Sequence, residues 1–452
     1  MKMYLLLTAL VCMFTAQASG QTHGFITGPI KNGPEATKLC LECHEKLAHS
    51  MMKTVHWNWA KKQPVNGKDA EYGKKNALSS NACFALPSNW QGCTNCHAGY
   101  GWVDETFEFG KAENVDCLAC HETTGTYKKV AGGHPAEQVD LVDVARSVAM
   151  PSRAACGSCH FYGGGGDGFK HGDLDSSLAD PAPEIDIHMG GKAKLTCESC
   201  HKAGGHDVRG EAISVSPGSG PRAMGCTDCH KRNVHKSAAL NKHVRRVACQ
   251  TCHIPIFAKG KPTVMSWDWS TAGKNDEIKK AGSDGKVYDK MMGDLTLGKD
   301  LVPTYLWYNG SVERVLLGDK INHKETVELS APKGELKDPE AKIFPFKVMK
   351  GKQPYDTVNR TVAVVNFHGP SASDTAYWVK FDWNKAIEAG MKAAAQPYSG
   401  KYGWVETTMV WSLNHMVAPK EKALRCPECH GQNGRINWKE LGYPKDPRLG
   451  KN

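Results

Sequence analysis

The chain has 452 residues, of which 40% are hydrophobic and 23% charged, and a formal net charge of +10. These values exclude a disordered chain and a bundle of membrane helices, and they leave room for two or three domains. Its eighteen cysteines are too sparse for a small disulfide scaffold and too many for an ordinary enzyme.

Residues 1–18, MKMYLLLTALVCMFTAQA, predict a cleaved signal peptide. Lys2 gives a positive start, Tyr4 to Phe14 form a short apolar run, and Ala16-Gln17-Ala18 is a small-x-small cleavage site. Cys12 follows Val11 where a lipoprotein needs a small residue, so it leaves with the leader. The run is too short to span a bilayer, and no other stretch reaches about 18 apolar residues. The expected mature protein has no membrane span and is exported to the periplasm.

Sixteen of the eighteen cysteines lie in the pattern Cys-x-x-Cys-His, which occurs eight times, beginning at Cys40, Cys93, Cys117, Cys156, Cys197, Cys226, Cys249 and Cys426. Two thiols at this spacing add to the vinyl groups of a c-type haem, and the following histidine reaches the iron. A zinc ribbon needs pairs of CxxC pairs and no following histidine, and iron–sulfur clusters use other spacings. The expected cofactors are eight covalent haems c. Their second thiols are Cys43, Cys96, Cys120, Cys159, Cys200, Cys229, Cys252 and Cys429. Their proximal ligands are His44, His97, His121, His160, His201, His230, His253 and His430. Sixteen propionates then bring the loaded protein to about +1 oxidised and about −7 reduced, so no nucleic-acid partner is needed to explain the basic balance. No EF-hand loop is present, and other calcium sites leave little trace in a sequence.

Twelve further histidines compete for the second axial positions. Context favours His56, His134, His188, His206, His235, His243 and His415, with His49, His171 and His368 in reserve. His23, beside the leader, is expected to be mobile.

Three regions follow from the motif spacing: the leader 1–18, a multihaem region 19–260 with seven motifs, and a haem-poor region 261–452 that folds back to carry the eighth. In the last, LVPTYLWY (301–308) and Val312 to Leu317 flank Asn309-Gly310, a hairpin signal. Thr361 to Phe367 suits a strand. Ala376 to Ala395 suits a helix with Trp383, Ile387, Met391 and Ala394 near one face. Tyr402 to Met416 suits a second helix that brings Trp404 and Trp411, seven apart, onto one stripe. The expected fold is mainly α with extensive irregular loops, a compact multihaem core, a small β-hairpin and C-terminal helices.

Reduction of a substrate needs one iron with an open or displaceable position. FYGGGGDGFKHGD (161–173) reads either as a flexible glycine linker or as a loop that aims Lys170 at an iron. A neutral lysine amine binds iron when desolvation lowers its pKa. Cys83 is the only cysteine outside the leader and the motifs, either a small buried hydrophobe or a reactive thiol near a sulfur substrate. CTNCHAGYGW (93–102) would shape an unusual pocket wall around the second haem.

These stretches, with GCTDCH through VACQTCHIP (225–255), WDWSTAG (267–273), WYNG (307–310), PFKVMKGKQPYD (345–356) and SLNHMVAP (412–419), resemble the octahaem c-type cytochromes of the tetrathionate reductase family. The resemblance implies seven bis-histidine haems and one catalytic haem, the second, held by Cys93, Cys96 and His97 and ligated by Lys170. It carries the family's lone cysteine to Cys83. It also implies a nearby carboxylate, for which Asp186 in DIHMG is the choice and Asp173 and Asp180 are rivals. The implied activity is two-electron reduction of tetrathionate to thiosulfate, with electrons from a periplasmic or membrane-anchored cytochrome. The same iron would also serve nitrite or hydroxylamine, and a non-catalytic electron conduit is the remaining alternative.

Overall fold

The computed structural model describes residues 23–73, 87–210, 224–231, 233–274 and 284–449. The leader and Cys83 lie outside the described residues. Up to His253 the chain is built of short helices, turns and two small ribbons. The exception is the 19-residue helix Gly33–Met51, which carries the first motif. The Asn32 side chain accepts from the Glu35 amide at 2.9 Å and Pro34 occupies its first turn, so both helix-start signals are in place. Other motifs ride on single turns such as Leu118–His121, Cys197–Cys200, Cys249–His253 and Cys426–Cys429, or on the two-turn helix Arg153–His160. One helical turn suffices because it puts residues i and i+3 on the same face, as two thioethers to one porphyrin require.

The first ribbon pairs β1 (Ala60–Val65) with β2 (Lys68–Gly73) across Asn66-Gly67, both with positive φ. This is the primed two-residue turn that matches strand twist. The second pairs β3 (Ala203–Gly204) with β4 (Asp207–Val208).

The mainly α expectation is overturned. Helix makes up 28% and strand 21%, and the strands gather into one mixed sheet of nine. These are β5 (Thr263–Asp268), β6 (Lys286–Asp289), β7 (Gly293–Gly298), β8 (Thr304–Tyr308), β9 (Val312–Arg314), β10 (Val327–Pro332), β11 (Lys342–Asp356), β12 (Thr361–Val362) and β13 (Tyr402–Ser412). The order is β6-β7-β5-β11-β13-β10-β9, with β8 and β12 also on β11. β11, fifteen residues long, is the spine: it runs antiparallel to β13 from Phe346↔Ser412 to Asp356↔Tyr402 and parallel to β5. It is buried along nearly its whole length, so its sequence lacks the polar alternation of a one-sided strand.

Two further expectations fail here. Asn309-Gly310 does turn the chain, but β8 pairs with β11 and β9 with β10, so no hairpin forms between them. Tyr402 to Ser412 is a strand, not a helix, in keeping with its β-branched and aromatic run Val405, Thr407, Thr408, Val410 and Trp411. Trp404 and Trp411 then point to opposite sides. Trp404 meets Trp383 at 5.0 Å, and Trp411 meets His171 at 4.8 Å. The helix Trp383–Ala393 does bury Trp383, Ile387 and Met391 against the sheet, and Phe381, in a left-handed conformation, separates it from the turn Tyr377–Lys380.

Candidate haem array and catalytic centre

Seven CxxCH histidines each face a second imidazole. The ring centres lie 6.3 Å apart for His44–His23, 6.3 Å for His121–His206 and 6.2 Å for His160–His56. They lie 6.2 Å apart for His201–His415, 6.1 Å for His230–His188, 6.3 Å for His253–His235 and 6.2 Å for His430–His243. An imidazole nitrogen binds a metal at about 2.0–2.1 Å, and the ring centre lies roughly 1 Å further out, so two imidazoles across one iron have centres about 6 Å apart. The residues therefore fit haem iron between the rings.

Tautomers agree. The Nδ1–H of His121 donates to the Ala149 carbonyl at 2.8 Å, that of His201 to Arg209 at 2.8 Å, and that of His430 to Asp446 Oδ1 at 2.6 Å. Each leaves Nε2 for a metal. Burial favours the neutral, ligating imidazole: it pulls His160 down to about 4, helped by the charges of His56 and His201. His415 differs. Burial lowers its pKa, but the hydrogen bond and charge of Asp173, 3.2 Å away, outweigh this and raise it. Reciprocally, burial pushes Asp173 up, but the bond to His415 prevails and holds the carboxylate below its ordinary range.

Two sequence expectations change. His134 faces none of the eight CxxCH histidines; its ring stands against Gly101 and Gly132. His23, expected to be mobile, occupies a short 3-10 turn against His44. Its neighbourhood to the leader hid the long-range partner. Of the reserves, His49 lies 3.9 Å from Glu45, His171 packs on Trp411, and His368 packs edge-on against Trp378 at 4.5 Å.

Thiol neighbours trace the order of the motifs. Cys40 lies against Cys117, Cys156 against Cys197, and Cys226 against Cys249. Cys120 is near Cys156, Cys200 near Cys229, and Cys252 near Cys426 and Cys429. The motifs at 40, 117, 156, 197, 226, 249 and 426 thus form one file. The motif at 93 is a branch, because Cys96 lies against Cys159 of the fourth.

That branch is the exceptional site. His97 is 1% exposed, and its Nε2 lies 2.6 Å from the Trp57 carbonyl. A carbonyl only accepts, so Nε2 carries the proton and donates it there. The atom expected to reach an iron here meets the Trp57 carbonyl, which sets His97 apart from the seven other motif histidines. Aromatic rings enclose it: Trp102 at 4.9 Å, Trp57 at 5.1 Å, Phe107 at 5.4 Å, Trp59 at 5.7 Å and Phe109 at 6.1 Å. Lys129 donates to the carbonyls of His97 and Gly99 and pairs with buried Asp116 at 2.7 Å, bracing the turn.

The glycine loop is folded, not a free linker. Gly164, Gly165 and Gly168 take positive φ, and a Cβ on Gly163 or Gly164 would stand 3.3 or 3.4 Å from the Lys170 side chain. The backbone lies close along the lysine stem, and the positive φ of Gly164, Gly165 and Gly168 is one that L side chains rarely adopt. The Lys170 Nζ sits 5.4 Å from the Trp411 ring centre, a cation–π distance. Its charge also depresses His160 and His171, so it stands in the neighbourhood of the fourth motif, whose Cys159 lies against Cys96 of the second. Burial is the main force that holds His171 down to about 3.

Asp186, the expected catalytic carboxylate, is engaged with backbone amides. Its Oδ1 accepts from the His188 and Met189 amides, each at 2.9 Å, and its Oδ2 from Val417 at 3.1 Å. It caps the turn that carries His188. Asp173 is likewise engaged by Oδ2 with the Asn414 and His415 amides, at 2.7 and 3.0 Å, but its buried Oδ1 has no hydrogen-bond partner. Trp411, whose spacing from Trp404 reads as core or haem packing, is a site residue that the spacing alone does not mark: its ring meets the Lys170 amine.

Among the described residues no helix is long and apolar enough to cross a membrane. The family model for bacterial cytochrome c matches residues 264–433. An uncharacterised protein of Archaeoglobus fulgidus is 26% identical over 233 residues, 40% of this chain and 77% of its own. The crystal structure of octahaem cytochrome c from Shewanella oneidensis is 43% identical and superposes with a TM-score of 0.87 over 94% of this chain and 97% of that one. A chain with eight haem-binding motifs, paired histidines at iron-spanning distance and this whole-length likeness belongs to the octahaem cytochromes c.

Proposed function

We propose that this octahaem cytochrome is a periplasmic reductase whose catalytic centre is the second motif, and that its substrate is tetrathionate. The cleavage is S4O6²⁻ + 2e⁻ → 2 S2O3²⁻, in which the central S–S bond accepts both electrons and no proton is needed. One observation carries the reading: seven motif histidines face a second imidazole, whereas His97 Nε2 donates to the Trp57 carbonyl. A centre built differently from seven alike is the one suited to exchange ligands with a substrate.

Haem c supplies reversible one-electron storage at each motif, and the file of motifs delivers electrons to the branch at the fourth. Lys170 would hold the iron of the second haem through its amine when that haem is bound. The glycines lie along its stem and the Trp411 ring meets its tip, which limits the rotamers open to the amine. The aromatic wall of Trp57, Trp59, Trp102, Phe107 and Phe109 excludes water, which strengthens the attraction of nearby cations for a dianion. Cys83, ten residues before the motif in sequence, is the polarisable thiol proposed to act on a sulfur substrate. Electrons come from a periplasmic or membrane-anchored cytochrome.

Anaerobic reoxidation of the fully reduced holoprotein by tetrathionate, nitrite and hydroxylamine tests this. Fast reoxidation by tetrathionate with two thiosulfates formed is expected, and Lys170→Met should abolish it while seven haem spectra stay unchanged. Response to nitrite or hydroxylamine alone, with ammonium formed, would replace the substrate. Response to none would leave an electron conduit.

A further inference from the structure

Lys347 lies on β11 with 0% exposure. Lysine is almost never fully buried unless its amine is satisfied. Here Nζ donates to the carbonyls of Phe169 at 2.9 Å and Lys170 at 2.8 Å, and to the Thr263 hydroxyl at 2.6 Å. Three acceptors match the three donors of the amine. Two of them are consecutive backbone carbonyls, and the second belongs to Lys170 itself.

A single nitrogen bound to two successive carbonyls fixes both peptide planes. It thereby fixes the direction in which the Lys170 side chain leaves the backbone. The clamp is doubled on the Phe169 side, where the Thr263 hydroxyl at 3.0 Å and the Val264 amide at 3.1 Å also donate to the same carbonyl. Beyond Lys170, the Gly172 carbonyl accepts from the Ala258 amide at 2.7 Å. A Cβ on Gly172 would stand 3.3 Å from the Lys347 stem. The loop is therefore seated on the lysine. The strand register adds a further link: Lys347 is directly paired with Trp411, the residue whose ring receives the Lys170 amine. One cross-strand pair thus holds both ends of Lys170, its backbone through Lys347 and its tip through Trp411. The sheet, which carries no motif of its own before Cys426, so acts as the rigid seat of the catalytic loop.

We propose that Lys347 is the positioning residue for Lys170: it aims the amine without touching haem or substrate. The inference rests on Lys170 being the working amine of the second haem.

The test uses the holoprotein with Lys347→Met and Thr263→Val, and Lys170→Met as reference. Electron paramagnetic resonance reports the haems one by one, and steady-state tetrathionate reduction gives kcat and KM. Lys347→Met should keep eight haems and seven unchanged signals, make the signal altered by Lys170→Met heterogeneous, and lower kcat about 10–100-fold with little change in KM. A merely structural lysine would lower stability and leave that signal sharp, which would overturn the inference while Lys170 stood. If Lys170→Met itself altered no signal, the reading of Lys170 would fall first. If Lys347→Met did not load haem, Thr263→Val decides: a smaller disturbance of the same signal supports the clamp, and an unchanged signal refutes it.

Discussion

The His97 Nε2 donates to the Trp57 carbonyl at 2.6 Å, whereas the His201 ring looks across 6.2 Å at the ring of His415. Two motifs with the same five-residue pattern thus put their histidines to different use. On the function proposed above, one haem in eight exchanges its ligand. Titration with cyanide should shift the spectrum of one haem equivalent and stop there. Eight inert haems would remove the catalytic reading.

The distal assignments differ between His23 and His134. His23→Ala should convert one low-spin haem to high spin, because it withdraws the ring that faces His44. His134→Ala should leave all axial ligands as they are. Loss of a low-spin signal in His134→Ala would show that spacing by ring centres misassigns the ligand.

Lys129 and Asp116 form an ion pair with side chains 8% and 0% exposed, and the lysine also carries the carbonyls of His97 and Gly99. Removing one partner leaves the other charged and buried, so Lys129→Met should cost about 3–5 kcal/mol. Chemical denaturation of the loaded protein measures it. A loss below about 1 kcal/mol would mean that the pair behaves as an exposed one.

Asp446 accepts from the Nδ1–H of His430 at 2.6 Å and from the Gly431 amide at 2.7 Å. A carboxylate behind a ligating histidine makes it a stronger donor and favours the ferric state. Asp446→Asn should raise the midpoint potential of the eighth haem and leave the others in place. Spectroelectrochemical titration reads this directly, and an unmoved potential would refute the tuning role.

Asp173 contributes to acid stability. Its folded pKa lies below the ordinary 3.8, so its stabilisation is complete above that value and is lost as pH falls through the folded value. Asp173→Asn should lower stability at neutral pH by about 1–3 kcal/mol and flatten the acid limb of the unfolding profile. Parallel acid limbs in the two proteins would show that other carboxylates carry it.

The CxxCH motifs were fully legible because covalent chemistry demands residues at fixed, short spacing. Six of the seven favoured histidines stand opposite motif histidines in the fold, since most lie in the short spacers between motifs or just before one. His23 was missed because its partner is set by helix docking near the leader and not by a local pattern. The sheet was missed for physical reasons too. β11 is buried on both faces and punctuated by Pro345, Gly351 and Pro354, so no alternation marks it. The two tryptophans of β13 are seven apart, which mimics a helical stripe.

What the sequence determined by itself was the cofactor, its number and the unusual glycine–lysine loop, because each is a local pattern with one chemical use. Only the tertiary structure decided the order of the motifs, the branch at the second, the diversion of His97 and the seat of Lys170 on Lys347. These depend on pairs of residues up to 242 positions apart, such as Asp173 and His415, whose meeting is set by packing of the sheet against the haem-binding region.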